Sequence, residues 1–206
     1  MSTWRFTLRA TRWAPWLLAA TASLVLVLLH FDGPVALPLQ LSAFLLGAGA
    51  GFALDDPAAE TLAPSPTSLQ RRHGVRVVGV VTATALAALV LGSVARPSGV
   101  GETGALVAMA AGLQGLNLGV SAMAGRFSGW RHGGLVSSPV VLMLVIASSM
   151  LPPVWRPLPT GDIPGGWPAI WTRWTLACLC GFLLLAHSCR DPARPAVFAR
   201  RGLRAG

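Results

Sequence analysis

Three polar side chains, Gln114, Asn117 and Ser121, recur every three or four residues along an otherwise apolar run, so a helix there would gather them on one face. Amides and hydroxyls in that setting do one of two things. They hydrogen-bond a neighbouring helix, worth about 0.6–2 kcal/mol each, or they line the path of a polar solute. Gly115 and Gly119 lie close by, and both uses remain open. Gln40, near the start of another apolar run, fits either account.

The remaining polar chemistry lies between the apolar runs. The segment Asp55-Asp56-Pro57-Ala58-Ala59-Glu60-Thr61-Leu62-Ala63 begins with a strong helix start. The Asp56 carboxylate can cap, Pro57 suits the first helical position, and Asp55, Asp56 and Glu60 put negative charge at the positive end of the dipole. Pro64 and Pro66 then stop a helix of about two turns, followed by the basic cluster Arg71-Arg72-His73. A capped connector and a docking element would look alike at this level. Cys178 and Cys180, two apart in an apolar run, point to nearly opposite sides of a helix, and with Cys189 they form no disulfide framework or metal-ligand spacing. His30, His73, His132 and His187 have no carboxylate or hydroxyl placed to form a catalytic set. Lys is absent, so no Walker lysine exists and no nucleotide site belongs to this chain.

The elements that must position these groups are membrane spans. Of the 206 residues, 53% are apolar and 11% charged, more apolar surface than a soluble domain of this length can hide. The apolar residues fall into runs near the ~20 needed to cross a bilayer. The fold expected is all-α: a single transmembrane domain over 1–206 with about six spans, at 13–31, 35–54, 77–94, 103–124, 136–151 and 167–187. Residues 1–12 mix Trp4, Phe6 and Leu8 with Arg5, Arg9 and Arg12, a pattern suited to an interfacial helix, and 188–206 form a basic tail. Gly47 and Gly51 make a G-x-x-x-G pair that permits close packing of the second span. Ser138 can cap the fifth span, with Pro139 at its first helical position. Arg173 either snorkels outward from the sixth span or belongs to an interfacial helix preceding it, with a pore role the third alternative.

The net charge of +9 comes wholly from Arg, and its distribution gives orientation rather than nucleic-acid binding. Arg5, Arg9, Arg12, Arg71, Arg72, Arg76, Arg126, Arg131, Arg190, Arg194, Arg200, Arg201 and Arg204 fall on one side of the six-span scheme; Arg96, Arg156 and Arg173 fall on the other. The expected arrangement is multi-pass with both termini cytoplasmic, and Arg-only usage with abundant Ala, Gly and Pro suggests a GC-rich bacterial genome, hence a bacterial plasma membrane. Trp13, Trp16 and Trp130 near the inner boundary, and Trp155, Trp167, Trp171 and Trp174 near the outer one, suit interfacial belts.

The run from Phe52 to Arg76, with its acidic pair, Thr61-Leu62-Ala63, Ser65-Pro66-Thr67 and Arg71-Arg72, resembles actinobacterial permease subunits of ATP-binding-cassette (ABC) transporters. An interfacial N-terminal helix, six spans and a short helix between spans two and three also resemble the exporter class. The resemblance implies that Asp55, Asp56, Pro57, Ala58, Ala59, Glu60, Thr61 and Leu62 couple the chain to a separate ATPase subunit carrying ATP and Mg. It implies no cofactor in this chain, a second permease half, identical or homologous, and an amphipathic or lipid-like cargo. Gln114, Asn117 and Ser121 become the candidate translocation path. The short outer segment between spans five and six, and the small chain, point away from large polymers. Two other classes compete: a structural or assembly subunit of a membrane complex, and a membrane-embedded lipid-modifying enzyme.

Overall fold

The structure, a computed structural model, describes residue 11 and residues 13–29, 36–55, 69–94, 100–128, 133–152 and 166–189. Within them the chain is all-helical: α1 (Ala14–Leu29), α2 (Ala36–Gly51) with a 3-10 turn at Phe52–Leu54, α3 (Leu69–Val94), α4 (Val100–Ser128), α5 (Gly133–Ser149) and α6 (Gly166–Ser188). The expected interfacial helix, the short helix after Asp56 and the basic tail lie outside the described residues.

Successive helices alternate in direction. Ser23 and Ser42 exchange hydrogen bonds between α1 and α2, each hydroxyl donating to the other residue's carbonyl at 3.3 Å. Gly47 of α2 lies against Leu113 and Gln114 of α4, and Gly51 against Asn117, so those two helices run parallel. The α4–α6 seam is parallel too, pairing Gly112 with Trp174, Gly115 with Cys178 and Gly119 with Gly181. Helix α4 is the centre of the bundle, touching α2, α3, α5 and α6. The small residues of α2 and α4 explain this: without side chains in the way, backbones approach closely and more than one neighbour fits around each helix.

The apolar content is turned outward as well as inward. Leu18 and Leu29 of α1, Val78 of α3, Met143 of α5 and Leu183 of α6 are all exposed. Such a surface is stable only under an apolar cover. Among the described residues three helices are long and apolar enough to cross a membrane, His73–Val94, Gly104–Phe127 and Pro168–Ser188; Ala14–Leu29, Pro38–Leu54 and Gly133–Ser148 are shorter apolar helices. A 16-residue helix such as α1 reaches about 24 Å, against the ~30 Å of a hydrocarbon core.

Several boundaries differ from expectation. Helix α3 begins at Leu69, ahead of the span expected from Val77, and tolerates Gly74 on the way because no proline interrupts it. Helix α6 runs unbroken from Gly166 through Arg173, so no separate interfacial helix ends there. Helix α5 starts at Gly133, which places Pro139 inside it rather than at its first position. The missing Pro139 N–H costs the bond to the Leu135 carbonyl. Ser138 does not cap; its hydroxyl donates to the Ala48 carbonyl of α2 at 3.3 Å.

Candidate functional site

The polar groups collect where α2, α4 and α6 end and α3 and α5 begin. The 3-10 turn that closes α2 delivers Asp55 into the bundle, where it is 3% exposed. Its Oδ1 accepts a hydrogen bond from the Gly134 N–H at 3.0 Å. This N–H belongs to the first turn of α5, one of the donors a helix cannot satisfy internally. A carboxylate there also meets the positive end of the α5 dipole. Asp55 thus does for α5 what Ser138 was expected to do, from a helix 79 residues away.

Asp55 opens the segment that the resemblance assigns to ATPase coupling, and its carboxylate faces into the bundle. Asp56, Pro57, Ala58, Ala59, Glu60, Thr61 and Leu62 lie outside the described residues.

Two charged side chains among the described residues are buried, Asp55 and, at 1% exposure, Arg76. They are opposite in sign, and α3, which carries Arg76, packs on the turn that precedes Asp55. Charges so deep are tolerated when compensated by neighbouring polar groups. In the sequence Arg76 reads as one more flanking arginine. The signal was its position, with Val75 before it and Val77 and Val78 after it.

Gln114, Asn117 and Ser121 do share one buried face of α4, 3%, 0% and 3% exposed. That face looks into the seam with α2. Ser121 Oγ donates to the Gly51 carbonyl at 3.0 Å, and Asn117 Nδ2 to the Leu113 carbonyl of its own helix at 3.0 Å. Asn117 Oδ1 and Gln114 Nε2 make no hydrogen bond within the described residues. Leu118 and Leu113 of α4 and Leu46 of α2 are likewise all but inaccessible. The arrangement is a packed helix seam with one polar strap across it.

Another polar contact joins α3 to the end of α6, with Cys189 Sγ 3.4 Å from His73 Nδ1. Arg126 Nη1 donates to the His187 carbonyl at 2.6 Å and reaches the Ser188 carbonyl at 3.3 Å, covering acceptors that the end of α6 leaves open. Burial pushes the Cys189 thiol above its usual value, while the Arg126 guanidinium works in the opposite direction. A raised thiol is a poor nucleophile, so the Cys189–His73 pair fits a structural contact better than a reactive dyad. Among the described residues no cluster of three metal-ligating side chains occurs.

Among the described residues, two tryptophans of the expected interfacial belts, Trp16 and Trp174, are drawn into the bundle. Trp16 is 9% exposed and donates to Thr84 Oγ1 at 3.0 Å. Trp174, 2% exposed, fills the notch left by Gly112, while Trp171 covers Gly104 and stays exposed. Trp13 meets Trp16 edge-on, with ring centroids 6.2 Å apart.

No protein-family model matches the chain, nor does any curated protein or solved structure.

Proposed function

We propose that this chain is the transmembrane permease subunit of an ATP-driven ABC exporter, crossing a bacterial plasma membrane six times with both termini in the cytoplasm. A separate ATPase subunit supplies ATP hydrolysis, with Mg, and a second permease half completes the pathway for an amphipathic or lipid-like compound. The observation that carries this reading is the anchored loop start. The segment that resembles a coupling helix follows directly on Asp55, whose carboxylate is bonded to the first turn of α5. Coupling between distant sites is carried by contiguous packed and hydrogen-bonded elements, and this bond would make Asp55 part of one. The outward-facing Leu, Val and Met side chains support a lipid-covered bundle. The three shorter apolar helices span with help from their flanking residues and local bilayer thinning.

One observation favours a second reading, a non-transporting structural or assembly subunit. Gln114, Asn117 and Ser121 are packed inside the α2–α4 seam, so the most polar intramembrane face serves helix packing. A single affinity purification separates the two. The permease reading expects an ATPase to co-purify with the wild-type chain and to be lost when Ala58 and Ala59 are both replaced by Arg, at unchanged membrane abundance. Retention of partners and of transport by that double variant removes the coupling role.

A further inference from the structure

The residues around the start of α5, Arg131-His132-Gly133-Gly134, offer no Ser, Thr, Asp or Asn side chain to cap it. The helix nonetheless begins at Gly133, because a cap arrives from elsewhere. Gly134 can receive it because it lacks a side chain: a Cβ there would fall 2.7 Å from Phe52 Cδ1 and 2.8 Å from Phe52 Cα. One turn further on, Ser138 Oγ donates to the Ala48 carbonyl, and across the seam Ser121 Oγ donates to the Gly51 carbonyl. The last turn of α2 is thereby fixed to the first turns of α5 and to α4. At Asp55 the backbone turns extended, with φ −61° and ψ 119°, so the chain leaves α2 at the very residue that holds α5.

We infer that Asp55 is a positioning residue: it caps α5 in trans and passes displacement of the chain beyond α2 to the start of α5. The transmission half of this inference rests on the proposed coupling to an ATPase; the cap itself does not. A partner that pulls on the connection after Asp55 acts on a carboxylate bonded to another helix. The α5 start then moves with α2 rather than independently of it.

The test compares wild-type protein with Asp55→Asn, which keeps an acceptor oxygen but loses the charge, and Asp55→Ala, which loses both. Full-length protein in lipid nanodiscs is followed by amide hydrogen exchange at residues 133–137, with residues 105–118 of α4 as the internal control. From the usual strength of a helix cap, Asp55→Ala raises exchange at 133–137 by roughly 2- to 30-fold, with Asp55→Asn between it and wild type. The same preparations then receive the co-purifying ATPase. Binding persists in both variants, while stimulation of hydrolysis is lost in Asp55→Ala and largely restored in Asp55→Asn. Unchanged exchange at 133–137, in either variant if only one is recovered, overturns the cap. Raised exchange with normal stimulation overturns transmission. If wild-type protein captures no ATPase, the proposed function and the transmission both fall, and the exchange measurement decides the cap alone.

Discussion

Replacing Gly181 by Ala adds one methyl group at the tightest point of the bundle. Gly181 of α6 lies directly on the backbone of Gly115 and Leu116 of α4, and a Cβ at 181 overlaps main-chain atoms of both residues. Carbon contacts settle near 3.5–4.0 Å, so the two helices must part by more than about 1 Å. No rotamer relieves the overlap, because both obstacles are backbone. Overpacking costs about 1–3 kcal/mol, and this case belongs at the upper end. Ala returns about 1 kcal/mol through its better helix propensity. The net loss is about 2 kcal/mol, roughly a 30-fold shift in the folding equilibrium. Gly74→Ala is the matched control, since a Cβ at that position meets nothing within 4 Å, and its propensity gain of about 1 kcal/mol stands alone. Equilibrium unfolding of both variants in mixed detergent micelles should separate them by about 3 kcal/mol. Agreement of the two within about 0.5 kcal/mol would show that the α4–α6 seam is not in backbone contact, and the packing argument would fail.

Gln114→Met removes a buried donor that makes no hydrogen bond within the described residues, so stability should hold or rise, by up to about 1–3 kcal/mol; a clear loss in thermal unfolding would show that the amide is bonded. If transport also survives that change, Gln114 is a packing residue and not part of a path. With the native cysteines replaced by Ala, a membrane-impermeant thiol reagent applied to intact cells should label Gly99→Cys or Thr160→Cys and spare Thr67→Cys or Gly129→Cys. The opposite pattern inverts the topology. Alkylation of Cys189 should require higher pH than an ordinary thiol, and Arg126→Gln should push its midpoint higher still, because that guanidinium favours the thiolate; a downward shift would reverse the sign of that interaction.

Helix existence was legible in the sequence because hydropathy works one residue at a time. A run of Leu, Val and Ala between charged segments announces a helix whatever packs beside it. The glycines of α2 were legible for a related reason, since residues without side chains mark where backbones meet. Gly47 and Gly51 do meet α4, and Gly49 meets Trp16 and Ala19 of α1. Helix ends were not legible in the same way. The local signal for the start of α5 is Ser138-Pro139, and that signal holds only where each helix is capped by its own sequence. Where Asp55 supplies the cap from across the bundle, the helix begins before any local signal and runs through the proline.

The same non-locality explains the site. Arg76, Asp55 and Gly134 are unremarkable apart: a flanking charge, half of an acidic pair, and a glycine in a loop. Their meaning comes from which helix ends share one end of the bundle, and that follows from the packing of α2, α3 and α5 around α4. The polar face of α4 illustrates the converse. Spacing alone placed Gln114, Asn117 and Ser121 together, and they are together, yet what they face depends on α2. Gly47 and Gly51 let that helix approach so closely that the face is occupied by a neighbouring backbone. Polar spacing on a helix therefore identifies a face, and the size of the side chains opposite decides whether that face is a seam or a passage.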